Sequence, residues 1–190
     1  MGSKPRPILI ATSNRDKFRD WQALLAGTDW VPLPYDGPSP EEDAETYEEN
    51  AAIKARAAAL RTGQPAIGDD NGIAIEALGG APGLFTRRWA EERGGFEAAC
   101  DEVVRRALGS PAIYRCGLAW ADPQGATIVA LGEVPGRIVR PKAPGPGFEP
   151  VFAPDGLEHP MPVLPAEVRT AWHSRTRAWQ ALRPKLTVGR

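Results

Sequence analysis

The chain has 190 residues, long enough for one ordinary domain or one two-lobed domain with a buried core. Its 23 Lys and Arg against 24 Asp and Glu leave a formal net charge of -1, which gives no support to a nucleic-acid coat or to binding an anionic membrane surface. Two cysteines, Cys100 and Cys116, make neither a disulfide framework nor a metal-ligand spacing, and the absence of an apolar run of spanning length or a signal-peptide core sets the expectation of a reducing cytoplasm.

In chain order, Ile8-Leu9-Ile10-Ala11 reads as a buried strand that ends in Thr12-Ser13-Asn14. Phe18, Trp21, Leu24 and Leu25 recur at helical spacing immediately after it. Trp30 to Pro40 reads as Pro-rich loop. Thr46 and Glu49 form a capping-box pattern, and the alanine-rich stretch Asn50 to Leu60 continues the helix they open. Ala66-Ile67-Gly68 is a second short strand running into Asp69-Asp70-Asn71-Gly72, and Leu78 to Gly83 is irregular. Phe96, Ala99, Cys100, Val103, Val104 and Ala107 mark an amphipathic helix, with both cysteines expected as small buried hydrophobes.

Ile113 to Ala121 and Thr127 to Leu131 read as two strands joined at Asp122-Pro123-Gln124-Gly125, and Val134 to Val139 as a third. Pro141 to Pro165 is turn-rich. One last helix is expected to carry Val168, Trp172, Trp179 and Leu182 on a single face, with Arg175 inside that stripe. Interleaved helices and strands give an α/β fold with a mixed sheet, as one domain over 1–190.

Chemistry is expected at element ends. Thr12 to Lys17 offers hydroxyl and amide groups, free helix N–H groups and a first-turn cation, a combination suited to phosphate; the same residues also read as an ordinary capped helix. Asp69 and Asp70, adjacent acids taken to sit at a strand end, call for a cation or hydrogen-bond donors. Mg2+ fits, since it is held by one or two carboxylates plus substrate phosphates, and an acidic turn is the alternative. Of the acidic run from Glu41 to Glu49, Glu41 or Glu42 is placed to reach such an ion. His159 and His173 are too far apart for a metal pair, and neither a G-x-S-x-G elbow nor a Walker A loop occurs.

Taken together, these segments resemble the inosine/xanthosine triphosphate pyrophosphatase family. Thr12-Ser13-Asn14-Arg15-Asp16-Lys17 is similar to its T-x-N-x-x-K loop, and Glu42 through Lys54 to its E-T-G-x-T-F-x-E-N-A-x-x-K segment. Gly68-Asp69-Asp70-Asn71-Gly72 with Ala77 to Gly83 is similar to A-D-D-S-G and A-L-G-G-A-P-G, and Arg88-Trp89-Ala90 to R-Y-A. The resemblance implies an elongated mixed sheet with flanking helices in two lobes around a central cleft, a homodimer, a nucleoside triphosphate substrate and Mg2+. It implies Asp70 as metal-bound proton acceptor, Glu41 or Glu42 as second metal carboxylate, and Thr12, Ser13, Asn14, Lys17 and Asn71 on the nucleotide. At the base end it implies Gly147, Phe148, Glu149, Arg169, Ser174 and Arg175.

That end departs from the family pattern. F-G-Y-D stands here as Pro146-Gly147-Phe148-Glu149, S-H-R as His173-Ser174-Arg175, the upstream lysine as Arg169 and the E-T-G glycine as Ala44. The expectation is a retained pyrophosphatase whose base preference has moved away from 6-oxopurines, with Trp172 or Trp179 supplying the lost stacking. The alternatives are ordinary specificity for deaminated purines, with Phe148, Glu149 and Arg175 rebuilding the pocket, or a nucleotide-binding module without activity.

Overall fold

In the computed structural model the described residues are 4–186. The strands are β1 (Arg6–Ile10), β2 (Trp30–Pro34), β3 (Ala66–Ile75), β4 (Pro82–Gly83), β5 (Pro111–Ala121), β6 (Thr127–Ile138) and β7 (Phe152–Pro154). The helices are α1 (Arg15–Leu25), α2 (Tyr47–Thr62), α3 (Thr86–Glu91), α4 (Phe96–Ala107), α5 (Ala166–Ala171) and α6 (Ser174–Leu182). The strand order is β2-β1-β3-β5-β6-β7, with β4 on β3; β1 runs parallel to β2 and β3, while β4 and β7 pair antiparallel. The expected α/β class with a mixed sheet is what forms.

Four local expectations are corrected. Trp30–Pro34 is a strand and not loop: it stands at the end of the sheet path, where the missing N–H groups of Pro32 and Pro34 cost least. β3 does not stop at Gly68 but runs on through Asp69, Asp70 and Asn71 to Ile75. Thr127 to Ile138 is one strand, unbroken at Gly132. The single last helix is two, α5 and α6, parted at Trp172-His173.

The chain divides into two compact units, each assembled from separated segments. Unit 1 takes Met1–Asp70, Gly117–Leu131 and Ala178–Arg190; unit 2 takes Asn71–Cys116 and Gly132–Arg177.

In unit 1 the alanine face of α2 (Ala51, Ala52, Ala55, Ala58, Ala59) is buried with Leu9, Ala11, Ala66, Ala119 and Ala121. Small side chains bring the helix backbone close to the strands. A Cβ on Gly68 would run into the Ala51 carbonyl oxygen and the Ala55 nitrogen, and one on Gly117 into the backbone of Tyr47 and Glu48. The helix starts as the sequence predicts, with Glu49 N–H donating to Thr46 Oγ1 at 3.2 Å; the Thr46 hydroxyl in turn donates to Glu49 Oε2 at 2.9 Å. A second core joins α1, β2 and α6: Trp21 and Trp30 each meet Trp179 edge-on, at 5.8 and 5.4 Å between ring centroids. Trp179 is thereby only 4% exposed, which removes it as a stacking surface for a base.

Unit 2 has its own core, where Val103 and Ala107 of α4 pack with Ile73 and Ile75 of β3, Val134 and Ile138 of β6, and Phe148 and Phe152. Cys100 and Cys116 are both buried, as expected of small hydrophobes, and burial pushes the Cys100 thiol up to about 11. Among the described residues no helix is long and apolar enough to cross a membrane.

Candidate active site

In unit 1, β1 delivers the chain into the Thr12-Ser13-Asn14 turn. Asn14 is the N-cap of α1: its Oδ1 accepts from Asp16 N–H at 2.9 Å and Lys17 N–H at 3.3 Å, while its own N–H donates to Thr12 Oγ1 at 3.2 Å. Two helix N–H groups are therefore already occupied, and the anion-seeking group that this turn contributes is the Lys17 ammonium. Its Nζ lies 3.4 Å from Asp69 Oδ2. Thr12 is half-buried and Ser13 exposed.

The two acids lie within a strand and not at its end. Successive side chains on a strand point to opposite faces. Asp69, with 2% of its side chain exposed, meets Lys17; Asp70 Oδ1 lies 3.8 Å from Lys54 Nζ, and Asp70 Oδ2 accepts from Asn50 Nδ2 at 3.1 Å. Asn50 and Lys54 are one turn apart on α2, so both project from the same helix face. The close approach of α2 to β3 at Gly68 brings that face onto the acid.

Lys54 Nζ also bonds Glu42 Oε2 at 2.7 Å, and Asn50 Oδ1 accepts from Ala44 N–H at 3.0 Å. The loop before α2 is thus tied to the same two side chains that touch Asp70. Of the two glutamates left open by the sequence, Glu42 is the one beside Asp70, through its bond to Lys54. Burial raises the Asp70 carboxyl above its ordinary value; Lys54 opposes the rise, the Glu42 charge adds to it, and Asn50 and Lys17 lower it again.

Among the described residues no group of three or more His, Cys, Asp or Glu side chains is arranged to hold a metal. A hard divalent ion needs fewer, one or two carboxylates being enough when phosphate oxygens and water complete the shell. Glu42 and Asp70 answer to that description: both face one ammonium, and the Glu42 charge makes Asp70 harder to ionise. The pair fits a cation, and Asn71, half-buried, follows on the same strand.

In unit 2 the 146–149 segment is held from several sides. The Phe148 ring is fully buried against Phe96 (5.5 Å between centroids) and Trp89 (5.8 Å); its N–H donates to Tyr114 Oη at 3.1 Å, and Cys100 Sγ donates to the Gly147 carbonyl at 3.5 Å. Phe148 is a core side chain, so its ring is an anchor and not a stacking surface. Pro146 is exposed. Burial, with the charge of Glu149, raises the Tyr114 hydroxyl well above its ordinary value.

Glu149 faces a residue the sequence reading set aside. His173 Nε2 lies 3.6 Å from Glu149 Oε1, and His173 Nδ1 accepts from Arg175 N–H at 3.2 Å. His173 thus caps α6, and its carbonyl accepts the helical bond from Arg177 at 3.2 Å. The break between α5 and α6 puts the His173 ring in this capping position, in place of the single helix expected from the sequence. Ser174 and Arg175 are buried behind the cap, at 3% and 4% exposure, whereas Arg169 is exposed on α5. Trp172 is half-buried against the unit 2 core, with the Arg177 guanidinium 5.2 Å from its ring centroid.

The residues to which sequence reasoning gave no site role are Asn50, Lys54 and His173. A signal existed for two of them: Asn50 and Lys54 are the polar residues, four apart, in an otherwise alanine-rich helix face, and both are buried.

The chain is similar to known proteins along most of its length. The Ham1 family model matches residues 8–185. A dITP/XTP pyrophosphatase of Leifsonia xyli subsp. xyli is 41% identical over 190 residues, covering 94% of this chain and 94% of its own length. One from Deinococcus radiodurans is 38% identical over 188 residues, covering 93% of this chain and 91% of its own length. The solved structure of a HAM1 protein from Coxiella burnetii superposes with a TM-score of 0.83 at 30% identity, covering 96% of this chain and 99% of that one.

Proposed function

The chain belongs to the Ham1 family, and from that premise we propose that it is a Mg2+-dependent nucleoside triphosphate pyrophosphatase, a hydrolase of acid anhydrides. The observation that carries this reading is the Glu42–Lys54–Asp70–Asn50 cluster, two carboxylates sharing one ammonium, with Lys17 beside it on Asp69. In the reaction, water adds to the α-phosphorus and the bond to the oxygen bridging to the β-phosphorus breaks, giving a monophosphate and pyrophosphate. Asp70 accepts the proton of the attacking water, and its raised affinity for a proton suits it to that task. Asn50 fixes the rotamer of Asp70, while Lys54 and Lys17 offset the charge that gathers on the phosphoryl oxygens. Thr12, Ser13, Asn14 and Asn71 position the triphosphate. Glu42 and Asp70 would hold Mg2+, which supplies Lewis-acid polarisation of phosphate oxygens when bound.

Base choice is assigned to the 146–149 segment with His173 and Arg175. Pro146 stands where the related pattern has a stacking phenylalanine, which supports a preference moved away from 6-oxopurines. A second reading, ordinary dITP/XTP specificity, is favoured by His173, which the helix break sets against Glu149. We infer a homodimer acting in the cytoplasm. The test is pyrophosphate release from a panel of purine and pyrimidine triphosphates with Mg2+, beside Asp70→Asn. Release that disappears in the variant supports the reaction, and the ranking of bases chooses between the two specificities. No pyrophosphate from any nucleotide would overturn the assignment in favour of a binding module.

A further inference from the structure

The buried Phe148 ring has two aromatic walls, Phe96 from α4 and Trp89 from α3. Phe96 is built into a twelve-residue helix. Trp89 rides on a helix of six residues, too short to be held by its own hydrogen bonds. Thr86 fastens the start of that helix to β3 and β4, and Arg93, in the turn between α3 and α4, holds the indole. The Arg93 guanidinium stacks 3.6 Å from the Trp89 ring centroid, its Nη1 donates to the Trp89 carbonyl at 2.9 Å, and its Nε donates to Glu102 Oε2 at 3.1 Å. Glu102 lies on α4, and its other oxygen accepts from Arg106 Nη1 at 2.6 Å. The same Nη1 also lies 3.6 Å from Glu92 Oε2. One planar cation therefore ties the indole wall to the helix that carries the other wall.

We propose that Arg93 is a positioning residue for base discrimination. Through Trp89 it fixes Phe148, the residue that precedes Glu149, and so sets where the Glu149 carboxylate stands opposite His173. Nothing about Arg93 itself touches substrate. The role requires a planar group that stacks and donates in two directions at once, which an ammonium does not reproduce. This inference rests on the pyrophosphatase reading for its consequence, but not for its geometry.

The test uses the full chain with Arg93→Gln, Arg93→Lys and, as a milder variant that leaves the guanidinium in place, Glu102→Gln. The first readout is hydrogen exchange at the Phe148 N–H, which is bonded to Tyr114. Arg93→Gln is expected to speed that exchange about tenfold or more, and Arg93→Lys to restore little of the protection, with α2 unchanged as the internal control. The second readout is the ratio of kcat/KM between the best nucleotide and its nearest competitor. It is expected to shrink through a higher KM for the best one, with kcat held within about twofold. Unchanged exchange in all three variants, or an equal loss for every base, overturns the proposal. If the wild type releases no pyrophosphate at all, the exchange readout still decides the role of Arg93, and the failure falls on the pyrophosphatase reading alone.

Discussion

Asp69 and Asp70 are neighbours on β3, yet they serve different lysines: Asp69 pairs with Lys17 of α1 and Asp70 with Lys54 of α2. The pleat of the strand separates two carboxylates that would otherwise repel, and assigns one to the α1 lysine and the other to the Glu42 cluster. Burial raises the proton affinity of Asp70.

Asp70→Asn is expected to reduce pyrophosphate release by at least about a hundredfold, the lower range for losing a general base. In EDTA the same variant is expected to melt higher than the wild type at neutral pH. The sign follows from the direction of the shift. A carboxyl whose folded value lies above its ordinary 3.8 favours the folded state at pH below 3.8, and that contribution is lost as the pH rises through the folded value. Asparagine never ionises and avoids the loss. Calorimetry against pH measures it, and a lower melting temperature for the variant at pH 7 would contradict it.

Neighbouring charges should move Asp70 in opposite directions. The Glu42 charge raises the Asp70 value and Lys54 lowers it. In metal-free protein, Glu42→Gln should shift the Asp70 carboxyl titration, followed by NMR, to lower pH, and Lys54→Met should shift it to higher pH. Any residual activity of the two variants should move its acid limb the same way.

Gly68→Ala places a methyl group against the backbone of Ala51 and Ala55, atoms that cannot rotate aside. A loss of about 1–3 kcal/mol is expected in denaturant titration. Because α2 must retreat to make room, activity at a temperature where the variant remains folded should also fall.

His173→Asn and His173→Ala separate capping from selectivity. Asparagine is among the preferred N-cap residues, whereas alanine forfeits the cap at about 1 kcal/mol. Both variants remove the ring nitrogen 3.6 Å from Glu149. The asparagine variant should therefore keep near-wild-type stability while changing the ranking of bases in the nucleotide panel; an unchanged ranking would remove His173 from base recognition.

Most elements were legible because their signals are local. The cap at Thr46, the alanine face of α2 and the apolar period of α4 each decide a helix without reference to anything distant. The misreadings share a different cause. Pro32 and Pro34 argue against a strand unless that strand is known to stand at the end of the sheet path. Arg175 fits the apolar stripe of a continuous helix, and only the hydrogen bond from its N–H to the His173 ring reveals two helices. The site was legible by type but not by pairing. Asp70, Lys17 and the pair Glu41 and Glu42 stood out as charges, whereas Lys54 had no partner named until its helix was laid on a strand that has glycine at the contact.

The segmented make-up of the two units bears on how the protein is made. Trp21 and Trp30 emerge early from the ribosome, but their edge-on partner Trp179 is synthesised some 150 residues later. Throughout that interval two large indoles of the nascent chain lack the ring that covers them, although β1, β2 and α1 already exist. Unit 1 therefore cannot close until α6 has been made. A truncated translation product ending before α6 would expose this surface to chaperones and proteases while still carrying every residue of the Asp70 cluster.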